Sequence, residues 1–297
     1  MDSANDASAA SVSRASSLPR RLASVSILIP LIVAATWWYW ATVAIVAVCV
    51  ALGISELFAV LRHGGHTPRT ALGIFVGLLL CAAAALRPFS SLDLTGLGLT
   101  FGVGASLCYE VLARDRATSL INWALTFTGA VYIGWLLSAF ILLRQIDQPL
   151  HGGPLAAIGL QPGTAWVMLV LAITWIQDSA AYFVGRSVGR TPMAPILSPK
   201  KTWEGFAGGL AGSVLAALLA TAILQLPISP LAATLIGLAA GVAGPLGDLG
   251  ESLIKRQVGV KDSGAIIPGH GGVLDRMDSL LFTAPVVYLG ALLTLAG

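Results

Sequence analysis

The run from Gly247 to Ser279 reads GDLGESLIKRQVGVKDSGAIIPGHGGVLDRMDS. It places five carboxylates (Asp248, Glu251, Asp262, Asp275, Asp278), the cations Lys255, Arg256, Lys261 and Arg276, and His270 between two apolar stretches. Asp275 and Asp278 are three apart at the start of an expected helix and so share a face, and Asp248, at the end of the preceding apolar stretch, can meet them across the loop. Magnesium prefers one or two carboxylates together with phosphate oxygens of a substrate, and Asp248, Asp275 and Asp278 supply such ligands. In Pro268-Gly269-His270-Gly271-Gly272 the glycines open backbone angles closed to other residues, so the amides around Gly271 and Gly272 can approach an oxyanion closely. The chemistry suggested is that of metal-bound phosphates.

Two other stretches concentrate polar residues. Asp178 to Gly189, DSAAYFVGRSVG, has a carboxylate about six residues, or roughly 9 Å, short of the expected end of an apolar helix. A charge at that depth requires a partner or a task, and Arg186 or Arg190 would serve as an ion-pair partner. The Gly-Arg-x-x-Gly-Arg segment resembles a phosphate-gripping turn but lacks the Gly-Lys-Ser/Thr core of a P-loop. The second stretch, Ser198 to Gly205, reads SPKKTWEG. Lysines before a helix start suit a triphosphate, and they also suit anionic lipid. Asp178, Tyr182, Arg186, Ser198, Lys200, Lys201, Gly271 and Gly272 are the candidate nucleotide-binding residues.

These groups must be positioned by membrane helices. With 56% hydrophobic and 10% charged residues and a mean hydropathy of +0.85, the chain cannot present a water-soluble surface. Apolar stretches near the roughly 18–20 residues needed to cross a bilayer recur along its length. The expected architecture is all-α and polytopic, with about nine spans: 22–36, 39–61, 70–86, 94–113, 118–143, 165–184, 204–226, 231–250 and 272–296. An N-terminus on the cytoplasmic side puts 15 of the 17 Lys and Arg residues inside, leaving only Arg87 and Arg144 outside, together with the C-terminus. All three polar stretches then fall on the cytoplasmic face. Residues 1–19, rich in Ser and Ala, read as a disordered tail, 20–164 as a transmembrane scaffold and 165–297 as the catalytic region. Cys49, Cys81 and Cys108 lie singly in apolar runs and read as buried small hydrophobes. The cations are spread over short loops, which argues against nucleic acid as a partner.

Ser252-Leu253-Ile254-Lys255-Arg256, Lys261-Asp262 and His270-Gly271-Gly272-Val273-Leu274-Asp275-Arg276-Met277-Asp278 together resemble the signature of the phosphatidate cytidylyltransferase family. The other two stretches are also similar to that family's, with Ser179 where Thr is more usual. The specific resemblance covers about residues 175–285. It implies a multi-pass enzyme of the inner cell membrane, with its site facing the cytoplasm, that uses CTP, phosphatidic acid and Mg²⁺, with a second cation, divalent or K⁺, near Asp178. It implies a catalytic set of Asp248, Asp275, Asp278, Lys255, Arg256, Lys261, Asp262, His270 and Arg276. A homodimer is compatible with the family, though no interface is legible. Two rival readings are a CTP-dependent lipid-alcohol kinase and an ion-coupled transporter whose path includes Asp178 and Asp248. Glu56 and Glu110 have no evident task.

Overall fold

The computed structural model describes residues 30, 32–113, 117–266 and 271–295. Its long elements are α1 (Tyr39–His63), α2 (Thr70–Leu86), α3 (Leu94–Leu112), α4 (Ser119–Ala130) and α5 (Leu136–Arg144). A short α6 (Pro154–Ala157) follows, then α7 (Pro162–Val188), the hairpin β1 (Pro192–Ala194) and β2 (Ser198–Thr202), α8 (Trp203–Leu224), α9 (Pro230–Gln257) and α10 (Leu274–Leu295). A five-residue π turn, Val131–Trp135, joins α4 to α5 as one span.

Among the described residues eight spans are long and apolar enough to cross a membrane. They coincide with eight of the nine expected spans, and the chain is a multi-pass, all-helical membrane protein apart from its short hairpin. The remaining expected span, 22–36, lies mostly outside the described residues, as do the tail 1–19, Arg114, Arg116 and His270.

Two helices run past their expected ends on the side that carries the polar stretches. The helix expected to stop at 184 continues to Val188, so Asp178 lies ten residues, roughly 15 Å, from its end. The helix expected to stop at 250 continues to Gln257 with Lys255 and Arg256 in its last turn. There the cations offset the negative end of the helix dipole. Local signals set the starts. Thr202 Oγ1 accepts the amide of Gly205 at the start of α8, and Ser229 Oγ accepts that of Ala232 at the start of α9. Each satisfies an amide with no partner inside the helix.

Close packing in the second half follows from small residues. Gly205, Gly208, Gly209 and Gly212 of α8 face α7, and a Cβ at Gly212 would stand 2.7 Å from that of Ala180. This is the small-xxx-small seam by which membrane helices approach closely. The middle of α7 is enclosed, with Trp166, Leu169 and Ile173 fully buried. Pro245 inside α9 has no N–H for the carbonyl of Gly241, and Gln177 Nε2 of α7 donates to that carbonyl at 2.6 Å. This bond ties the carbonyl left free by Pro245 in α9 to the residue beside Asp178.

The two outlying cations are held by the protein. Arg144 donates to the carbonyls of Thr36 and Trp37 and to Gln161, and Arg87 donates to Tyr288 Oη at 2.7 Å. Of the cysteines, Cys81 is buried but Cys108 faces outward on α3, contrary to expectation.

Candidate active site

Helices α7, α9 and α10, with Lys261 and Asp262 beyond the end of α9, border an open cavity of about 330 Å³, lined by Asp178, Asp248, Ser252, Lys255, Arg256, Lys261, Asp262, Asp275, Arg276, Asp278 and Ser279. Asp248 is a turn before Ser252 on α9 and accepts a 3.4 Å contact from its hydroxyl. Asp275 and Asp278 lie in the first two turns of α10, on one face as their spacing requires.

Two ammonium groups balance part of this negative charge. Lys201 Nζ stands 2.6 Å from Asp248 Oδ2. Lys255 Nζ bridges Asp275 Oδ1 at 2.6 Å and Glu251 Oε1 at 2.8 Å. Asp178 makes no hydrogen bond or salt bridge to a described residue. It feels repulsion from Asp248 and attraction from Lys201 and Arg276. Asp278 accepts only the amide of Ser279, at 2.7 Å, and is repelled by Asp248 and Asp178. The alternative, an ion pair of Asp178 with Arg186 or Arg190, does not form. Arg186 donates instead to Tyr182 Oη at 3.0 Å.

Asp275 has a second role. Its carboxylate accepts the amides of Ser263 and Gly272 as well as Lys255 Nζ, so it also pins both ends of the glycine loop. Arg256 donates to the carbonyls of Val260 and Leu197, tying the hairpin to α9. Gly271 has φ +85, the left-handed conformation that favours glycine.

Some expected nucleotide-binding residues do not reach the cavity. On β2 successive side chains point to opposite faces. Lys201 therefore turns to Asp248, and Lys200 faces outward. Ser198, Tyr182 and Arg186 also lie outside the lining, and Tyr182 is 57% exposed.

Conversely, the site recruits two carboxylates that had been given no role. Glu56, from α1, is 5% exposed. It accepts the amides of Val273 at 3.0 Å and Leu274 at 2.8 Å, and the Ser263 hydroxyl at 3.1 Å. It is the N-terminal cap of α10, donated from a helix more than two hundred residues away. Glu251 is 1% exposed and holds Lys255 from below. Glu110 pairs with Arg69, away from the cavity, at 2.6 Å. The signal for Glu56 was its presence in an otherwise apolar span, which marks a buried carboxylate with an obligation to a partner.

The donor set is hard oxygen, which fits magnesium rather than a soft metal. Among the described residues no three carboxylate, imidazole or thiol groups form a preassembled cage. A cation held by Asp248, Asp275 and Asp278 would therefore complete its shell from phosphate and water, the usual habit of Mg²⁺.

Residues 19–293 match the family model described as the cytidylyltransferase family. The chain belongs to this family. It is similar to a phosphatidate cytidylyltransferase of Synechocystis sp., 34% identical over 91% of this chain and 94% of the relative. Another of that name, from Bacillus subtilis, is 37% identical over 80% of this chain and 85% of its own length. A third, from Brucella suis, is 35% identical over 70% and 74%. Family membership makes the chain a nucleotidyltransferase and sets aside the transporter reading.

Proposed function

We propose that this chain is a CTP:phosphatidate cytidylyltransferase of phospholipid biosynthesis, working at the cytoplasmic face of the cell membrane. A phosphate oxygen of phosphatidic acid attacks the α-phosphorus of CTP. The new P–O bond joins lipid and CMP as CDP-diacylglycerol, the Pα–O bond to the β-phosphate breaks, and its electron pair leaves with pyrophosphate. The observation that carries this reading is the cavity itself, in which opposed carboxylates and cations meet at the ends of membrane helices. A nucleotide from water and a lipid head group can both reach such a place.

The attacking phosphate is already ionised near neutral pH, so the barrier is charge repulsion and orientation rather than the making of a nucleophile. Lys255, Arg256, Lys261 and Arg276 line the cavity, Lys201 reaches its edge through Asp248, and together they supply positive charge against both anions. Asp248, Asp275 and Asp278 would hold Mg²⁺, which when bound draws charge from the α-phosphate and the leaving pyrophosphate. Lys255 already sits against Asp275 and Lys201 against Asp248. Each lysine is thus within reach of a phosphate bound to the same carboxylate layer. Asp178 forms the cavity wall on the α7 side and would attract a second cation.

The test uses purified protein in detergent with phosphatidic acid, Mg²⁺ and CTP labelled at the α-phosphate, beside Asp248→Asn. Label entering the lipid phase with Mg²⁺ and lost in the variant is expected. Label that stays in water with active protein overturns the assignment, and labelled CDP formed with a lipid alcohol would favour a kinase.

A further inference from the structure

Tyr132 belongs to the first half of the chain, on the π turn Val131–Trp135. Such one-turn insertions occur frequently at functional sites. Its ring meets Phe282 edge to face, with centroids 6.4 Å apart. Phe282 is one turn beyond Asp278 on α10 and lies against α9 at Gly247, where a Cβ would come within 2.9 Å of the ring. Glu251 is one turn from Gly247 toward the cavity. The phenol is thereby placed beneath the carboxylate layer, and the charges acting on it are those of Glu251 and Asp278.

The Tyr132 hydroxyl is fully buried without a hydrogen-bond partner, and so is Oε2 of Glu251, while its Oε1 has the Lys255 ammonium at 2.8 Å. Buried polar atoms are rarely left in this state, since each forfeits its water without replacement. These atoms are also complementary, because a phenol donates and a carboxylate accepts. A tyrosine kept only for packing would be better replaced by phenylalanine.

We propose that the Tyr132 hydroxyl is a positioning donor to Glu251 in the substrate-loaded site, and that it fixes, through Glu251, the Lys255 ammonium that meets the phosphates. In the free site Lys255 is shared between Glu251 and Asp275. When it turns its charge toward a phosphate, a Glu251 held from below restricts that turn to one direction. The inference rests on the cytidylyltransferase reading and extends its site to a residue of the first half.

The test is Tyr132→Phe in the full chain, with kcat, KM for CTP, KM for phosphatidic acid and Tm measured beside Glu251→Gln and the double variant. Phenylalanine removes one oxygen and no packing. The expected result is a Tm at or above that of the unsubstituted protein, a kcat lower by about tenfold, and both KM values changed by less than about twofold. The double variant is expected to be no slower than Glu251→Gln alone, because the two act as one unit. An unchanged kcat in Tyr132→Phe overturns the inference, as does a fall in kcat that accompanies a lower Tm. Losses that multiply in the double variant also overturn it. If the unsubstituted protein transfers no label to lipid, the cytidylyltransferase reading itself fails, which is a separate outcome.

Discussion

Removing the Glu56 carboxylate is expected to loosen the glycine loop without unfolding the helices around it. In Glu56→Ala the amides of Val273 and Leu274 lose their acceptor and Ser263 loses the partner of its hydroxyl. Leu274 is 1% exposed, so water does not readily replace the lost acceptor. Two amides left unpaired, that of Leu274 buried and that of Val273 partly so, at about 1–3 kcal/mol each come to roughly 2–6 kcal/mol. The low end applies if water enters the space the side chain vacates. Since about 1.4 kcal/mol is a factor of ten, local opening of the start of α10 should become roughly 30-fold more frequent or greater. Hydrogen exchange by mass spectrometry on the peptide carrying Val273–Met277, in the protein reconstituted in lipid, measures this directly. The peptide from the buried middle of α7, Val167–Ile173, is the reference. Glu56→Gln keeps one acceptor oxygen and should fall between the two. Unchanged exchange at Val273–Met277 in Glu56→Ala would refute the capping role. An equal rise in the α7 peptide would show a global effect in place of a local one.

Three further outcomes follow from the same geometry. Gly272→Ala sets a Cβ against Ser263 Oγ and the Glu56 carboxylate; it should abolish most cytidylyl transfer, whereas Gly250→Ala, where a Cβ meets nothing within 4 Å, should retain it. Lys201→Met takes a charged partner from Asp248 and should weaken apparent CTP affinity by about 10- to 100-fold, the range of a charge-assisted bond. Lys200→Met should stay within about twofold of the unsubstituted protein in the same KM measurement. Arg69→Met leaves Glu110, 4% exposed, as a buried charge without its bidentate partner. It should lower stability by about 3 kcal/mol, the low end for a broken buried pair because Arg69 is partly exposed. Thermal denaturation in detergent reads that loss, while KM for CTP at a permissive temperature should not move.

Much of the architecture was legible because crossing a membrane demands long apolar runs, and such runs are visible without any partner. Helix ends were less so. The carboxylates and cations after Gly250 read as loop, yet they continue α9 to Gln257, since a helix that leaves the apolar layer can keep its backbone bonds while its side chains become polar. That Asp248, Asp275 and Asp278 come to one cavity was legible from their spacing and their places at helix ends. The division of Lys200 from Lys201 was not, because it depends on a five-residue strand too short to leave an alternating pattern. Glu56 and Tyr132 could not be assigned from spacing at all. Their partners lie more than a hundred residues away, and only the tertiary arrangement brings them together.

That arrangement bears on why the first half of the chain carries few polar residues and yet cannot be a passive scaffold. The glycine loop and the start of α10 have to be rigid if Asp275 and Asp278 are to keep one orientation toward the same phosphates, and the loop's own residues are poor at providing rigidity. Asp275 secures Ser263 and Gly272 from within α10. Glu56 secures Ser263, Val273 and Leu274 from α1. Ser263 and the residues from Gly272 to Leu274 are therefore held by two carboxylates, and one of them belongs to a helix that contributes nothing to the cavity lining. A carboxylate is suited to this task because it accepts several amides at once, and because its negative charge is stabilised by the positive end of the α10 dipole. An apolar residue at position 56 would suit the membrane better and would leave the start of α10 without this cap.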